Sequence, residues 1–161
     1  LIIGSVFVLM VGALALSVWS GASPNNGRNV GTDEIAGVNS ADVNNPVLVA
    51  RGREVYTAYC AVCHGANLEG QPNWQREFPG GGRPAPPLGL TGRAWQHPDQ
   101  LLFEITKYGG QANSPPGYIN NMPSFENTLS DEEIWASLAY IKSTWPPEIQ
   151  AAQQETNQQA R

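Results

Sequence analysis

Cys60-Ala61-Val62-Cys63-His64 holds both cysteines of the chain and one of its two histidines. Its form is C-x-x-C-H, the attachment signature of a c-type haem. Residues three apart on a helical turn share a face, so both sulfurs can reach the two vinyl groups on one porphyrin edge as thioethers. His64 can then place an imidazole nitrogen under the iron. Other chemistries fit these residues less well. A structural zinc site needs four ligands. Cys60, Cys63, His64 and His97 make up the count, but His64 adjoins Cys63 and the finger spacing of histidines is absent. A thioredoxin-like dithiol needs a neighbouring βαβ pattern, and no convincing strand flanks the motif. A plain disulfide leaves His64 without a role. The residues point to one covalently bound haem c, attached through Cys60 and Cys63 and ligated by His64.

Upstream of the motif, Asn45-Pro46 reads as an N-cap followed by proline at the first helical position. The pattern predicts a helix from Pro46 through Tyr59 into the cysteine motif. Gly52 and Tyr56 lie four apart on one face of it. A glycine there costs about 1 kcal/mol relative to alanine, which close approach of another helix would offset. Downstream, residues 65–91 are dominated by turn formers, among them Gly80-Gly81-Gly82 and Pro84-Ala85-Pro86-Pro87. They predict an irregular loop along a haem edge. His97-Pro98 opens a short helix to Tyr108 with Leu101, Leu102 and Ile105 as its apolar stripe and Gly109 as C-cap. Ser130-Asp131-Glu132-Glu133 is a capping box. Ile134, Leu138, Ile141 and Trp145 follow at helical spacing until Pro146-Pro147.

The two ends have a different character. Residues 1–19 are apolar, and no charge precedes Arg28. As a helix they would span roughly 28 Å, close to the hydrocarbon thickness of about 30 Å, with Trp19 at the interface. A signal-peptide apolar core is shorter, at about 7–15 residues, so the stretch is expected to be an uncleaved transmembrane anchor. It lacks an initiator methionine and a basic leader, so the true start is expected upstream. Gly4, Gly12, Ala13 and Ser17 would let it pack closely against another membrane helix. Residues 20–45 read as a linker or extended arm, and residues 147–161 as a polar tail, disordered by default.

The chain has 161 residues and a formal net charge of -5. Only Lys107 and Lys142 among its nine basic residues are lysines. This acidic balance excludes nucleic acid as a partner. Seventeen glycines and thirteen prolines predict a loop-rich domain too small to bury an adequate core alone. A large apolar cofactor would supply that core. Outside the apolar first segment there is one methionine, Met122, in Asn121-Met122-Pro123. A thioether opposite an imidazole favours reduced iron and raises the potential. With both axial positions filled by protein, the arrangement favours electron transfer over catalysis. Met122 lies on no apolar stripe, which argues against a core-filling role. His97 is the rival ligand, but its place before a helix-opening proline suits a capping or surface role.

On Cys60, Cys63 and His64, on Met122-Pro123 and on helices at both ends of the domain, residues 46–146 resemble the class I c-type cytochromes, in a membrane-anchored form. The resemblance implies a mainly α fold: a small helical domain wrapped around one haem, ligated by His64 and Met122. Gly52 and Tyr56 resemble the glycine–aromatic pair of the first helix, and Leu138-Ala139-Tyr140-Ile141-Lys142 the last-helix stretch that packs across it. Pro86-Pro87-Leu88 resembles the segment whose carbonyl accepts a hydrogen bond from the proximal imidazole, with the proline left open. Arg93 and Trp95 are candidates for the haem propionates. The departures are the anchor, the glycine- and proline-rich insertion at residues 69–82, and the tail.

The function implied is that of a non-enzymatic, one-electron carrier on the periplasmic or extracytoplasmic face of an energy-transducing membrane. Its partners would be membrane electron-transfer proteins and other membrane subunits of a respiratory or photosynthetic assembly, such as a quinol-oxidising complex or a terminal oxidase. A free-standing tethered shuttle is the alternative within this class. A haem enzyme or gas sensor would require a labile Met122 bond.

Overall fold

The fold is that of a computed structural model, which describes residues 31–160. The expected anchor and the first part of the linker lie outside the described residues. Five α-helices and several single turns make up the described chain, with no strand among those residues. None of these helices is long and apolar enough to cross a membrane.

Helix α1 (Pro46–Val55) starts where proline fixes the first helical φ. The Asn45 side chain accepts from the amides of Val47 and Leu48, both at 3.1 Å. Helix α4 (Asp131–Ser143) carries both bonds of the predicted capping box: Glu133 N to Ser130 Oγ at 3.2 Å and Ser130 N to Glu133 Oε2 at 3.0 Å. Its acidic first turn also suits the positive end of the helix dipole. These two helices make the most extensive contact in the domain, and Gly52 is the reason they can. A Cβ at position 52 would lie 2.5 Å from the Ala136 carbonyl carbon and 2.9 Å from Tyr140 Cβ. Tyr56 packs on Tyr140 one turn later, ring centroids 5.4 Å apart. At the start of α4 Glu133 has a second partner: Arg51 bridges it to Glu54 at 2.9 Å. Leu48, Val55, Ile134, Leu138, Ile141 and Trp145 are buried around this crossing.

Three expectations are corrected. First, the chain stays helical from Pro46 into the cysteine motif, as expected, but not as one regular α-helix. Tyr56–Cys60 form a widened π-helical turn before the short helix α2 (Ala61–His64). One extra residue per turn changes which side chains face inward, and here it keeps Tyr56 buried while Cys60 is only half-buried. Second, helix α3 (Asp99–Tyr108) buries Phe103 and Thr106, whereas Leu101, Leu102 and Ile105 are half-buried. Phe103 stacks on Trp135 of α4 at 4.4 Å between centroids. Thr106 tolerates burial because its hydroxyl donates to Leu102 O at 2.8 Å.

Third, the parts read as linker and tail belong in large measure to the folded unit. The turn Thr32–Ile35 lies against α4, with Ile35 and Ala41 in the core. Residues 147–159 form helix α5 (Pro147–Gln159), docked through hydrogen bonds. Gln153 is fully buried and donates to Asp99 Oδ1 at 2.6 Å and His97 O at 3.2 Å. Asn157 Nδ2 donates to Asp99 Oδ2 at 3.0 Å, and its oxygen accepts from Asp99 N at 2.7 Å. That last bond caps α3, whose own N-cap residue Pro98 has no side-chain oxygen. Lys142, buried at the end of α4, completes the cluster at 2.6 Å from Asp99.

Candidate haem-binding site

Cys60, Cys63 and His64 occupy adjoining turns, with Cys60 half-buried, Cys63 exposed and His64 buried. Cys60 and Cys63 are not joined in a disulfide. Burial, with a further contribution from Cys63, pushes the Cys60 thiol up to about 11. The turn is fixed from several directions. Tyr56 donates its hydroxyl to Gly65 O at 2.6 Å, and burial holds that phenol well above its ordinary pKa. Gly70 N donates to His64 O at 2.7 Å.

His64 Nδ1 lies 2.8 Å from Pro86 O. A carbonyl can only accept, so Nδ1 carries the proton and Nε2 keeps its lone pair. Burial lowers the imidazole pKa, against the upward pull of the Pro86 bond. The ring is thus neutral, oriented and free to ligate through one nitrogen. This observation identifies Pro86, among the prolines of its run, as the one behind the imidazole.

Met122 lies on the loop between α3 and α4, half-buried. Helix α3 ends at Gly109, whose φ of 86° suits glycine. Gly110 N then donates to Met122 O at 3.0 Å. Asn120 Oδ1 accepts from Met122 N at 3.1 Å. Beyond the methionine the chain folds back on the end of α3: Ser124 Oγ and Glu126 N both donate to Lys107 O, at 2.7 and 2.9 Å. Orphan carbonyls of the helix end are thereby satisfied. Tyr59 and Phe125 meet edge to face, centroids 6.5 Å apart. That contact joins the residue before Cys60 to the segment that carries Met122.

Sequence reading passed over Tyr59, Phe125, Gly110 and Asn120 in this scaffold. Asn120 had a local signal, because an asparagine bonding the amide two residues on is an Asx turn. The Tyr59–Phe125 contact joins residues far apart in sequence and has none. His97 is exposed and ends the turn Ala94–Gln96. Trp95 directs its indole N–H to Gly92 O at 3.2 Å, and Arg93 is exposed.

Among the described residues, no group of three or more His, Cys, Asp or Glu side chains is placed to hold a metal ion. Two thiols three residues apart, followed by a buried imidazole with one nitrogen committed, instead fit a covalently attached haem. Cys60 and Cys63 would hold it as thioethers, and His64 Nε2 would be its proximal ligand.

A strandless helical domain closed by a glycine-mediated crossing of its first and fourth helices, with a haem-attachment turn at the end of the first, defines the chain as a class I c-type cytochrome, an electron-transfer protein. It belongs to the family described as cytochrome c oxidase, cbb3-type, subunit III, whose profile matches residues 47–141. It is also similar to the cytochrome c subunit of alcohol dehydrogenase (quinone) from Gluconobacter oxydans (strain 621H), at 29% identity over 122 residues. That match takes in 74% of this chain and 23% of the relative, so the chain spans about a quarter of that subunit's length.

Proposed function

We propose that this chain is a mono-haem electron-transfer subunit, anchored by residues 1–19 with its haem domain on the outer face of an energy-transducing membrane. In this reading it passes single electrons within a quinone-dependent dehydrogenase or oxidase-type complex. The observation that carries it is the His64–Pro86 bond, which leaves one oriented, neutral imidazole nitrogen for the iron. Bound haem supplies a one-electron couple at its iron.

The protein's part would be to hold the iron through His64 and Met122 and to exclude other ligands. His64 is oriented by Pro86 and buried. Met122 is tied at its amide and its carbonyl, so its thioether is presented by a constrained loop. With haem bound, such a ligand pair would raise the potential and leave oxygen or peroxide no open position. Family membership and the relative's designation as a cytochrome subunit support a place in a larger assembly. The folded unit already includes residues 31–45, which leaves 20–30 as tether, at most ~40 Å fully extended. So short a tether would keep the domain near membrane partners at high effective concentration.

The test is a redox-difference spectrum of the holoprotein with and without Met122→Ala. The variant should lose the sulfur-to-iron charge-transfer band, show a lower potential and bind carbon monoxide when reduced. An unchanged spectrum would show that another residue is the sixth ligand. Gentle solubilisation and sizing tests the assembly: haem running alone at the monomer position would instead support a free-standing shuttle.

A further inference from the structure

The glycine- and proline-rich insertion links the two ligand segments. At its base, Gln71 N donates to Ala85 O at 2.9 Å and Ala85 N to Gln71 Oε1 at 3.0 Å. The next residue, Pro86, is the one that holds the His64 imidazole. The loop then turns at its tip. Phe78 N donates to Gly82 O at 2.8 Å and Gly81 N to Phe78 O at 3.0 Å, with Arg83 paired to Glu77 at 3.1 Å. Gly80, Gly81 and Gly82 have φ of 100°, 98° and 79°, a run that side-chain-bearing residues rarely adopt. The tip seats on the residues just before Met122. A Cβ at Gly81 would lie 2.7 Å from Ile119 Cδ1, and one at Gly82 would lie 2.7 Å from Asn121 Nδ2.

We propose that residues 71–85 are a strap that ties the Met122 segment to the His64 side of the site. In this role Ile119 and the glycine tip are positioning residues for the Met122 thioether. The inference rests on Met122 being the axial ligand. On the α3 side the Met122 loop is held by Gly110, by Asn120 and by Gln111, which bonds Tyr118 O and Asn120 N at 3.0 and 2.9 Å. The strap is the restraint from the other side. Local opening of such a loop has its own free energy, and the strap contact adds to it. Positive φ at all three tip positions favours glycine, and at Gly81 and Gly82 the backbone comes up against the ends of the Ile119 and Asn121 side chains.

Two holoprotein variants test this. One replaces residues 73–83 with an Asn-Gly turn, which removes the tip. The other, Ile119→Ala, leaves the strap whole and removes what it grips. We expect the reduced strapless protein to bind carbon monoxide about tenfold faster, and Ile119→Ala about threefold faster, as contacting residues couple on this scale. Amide exchange at Gly110 and Met122 should accelerate in parallel, while the band from iron-bound sulfur weakens. If both variants match wild type in carbon monoxide rate and amide exchange, the strap has no such role. If the strapless chain does not fold, Ile119→Ala decides alone. A wild-type protein without the charge-transfer band would overturn the Met122 reading and the strap's role together. A wild-type band with unaffected variants would overturn the strap alone.

Discussion

Gly52→Ala separates two opposing physical effects by the sign of its outcome. Considered as a helix position, the change should stabilise by about 1 kcal/mol, because alanine is the better helix former. The crossing with α4 argues the reverse. The new Cβ would lie 2.5 Å from the Ala136 carbonyl carbon, where ordinary contact begins at 3.4 Å. Backbone cannot rotate away as a side-chain tip can, and the Ala136 carbonyl oxygen lies closer still, so the helices must separate by at least ~0.9 Å. A gap of about that size forfeits a quarter to a half of each affected dispersion contact. The residues that would lose them, Leu48, Ile134 and Ala136, are fully buried at 0% exposure. Overpacking of this kind typically costs about 1–3 kcal/mol, and rigid backbone on one side places it at the upper end or beyond. After the propensity gain we expect a net loss of about 2 kcal/mol or more, or on the order of 6–8 °C in Tm for a domain of this size. Urea unfolding of the holoprotein followed by far-ultraviolet circular dichroism measures it. A Gly52→Ala protein as stable as wild type, or more so, would refute the close-approach argument.

Two further outcomes follow from the surroundings. Lys142→Met removes the cation from a buried pair and should cost about 3–5 kcal/mol, while adding Asp99→Asn should recover part of that loss by removing the orphaned charge; denaturant unfolding of both variants checks it. Glu132 has its pKa lowered, chiefly by its own backbone amide and then by Ser130 and Gly37. A folded-state value below the unfolded one adds stability above about 4.5, and this is lost as pH falls through the folded value. Glu132→Gln should therefore be less stable than wild type at pH 7, and the difference should shrink as pH falls below the ordinary carboxylate range, as read from unfolding midpoints across that range.

The proximal half of the site was legible because its geometry is local. Three residues of helix set the spacing of Cys60 and Cys63, and His64 follows in the chain. The capping box and the apolar spacing of α4 were legible for the same reason, since helical period acts over a few residues. What placed Gly52 against Ala136 was only half visible: the glycine marked a close approach, but not its partner atom. The π-helical turn at Tyr56–Cys60 was not legible, because no residue in it breaks a helix. It is set by tertiary contacts, Tyr56 on Tyr140 and its hydroxyl on Gly65 O.

Helix α5 shows most clearly where pattern reading fails. A helix docked by hydrophobic burial shows an apolar stripe, and residues 147–159 offer little more than Ile149 and alanines among glutamines. The side chain this helix buries completely is Gln153. Such burial is costly unless every polar atom finds a partner, and here the partners are Asp99, His97 O and Asn157. Asp99 in turn is held in place by Lys142 on α4. No one of these residues predicts the others, because the network exists only once α3, α4 and α5 have met. Its consequence reaches the site through chain continuity: the network fixes the start of α3, and Gly109 and Gly110 at the far end of that helix anchor the Met122 loop. A tail expected to be disordered therefore helps to set where the distal ligand's scaffold begins.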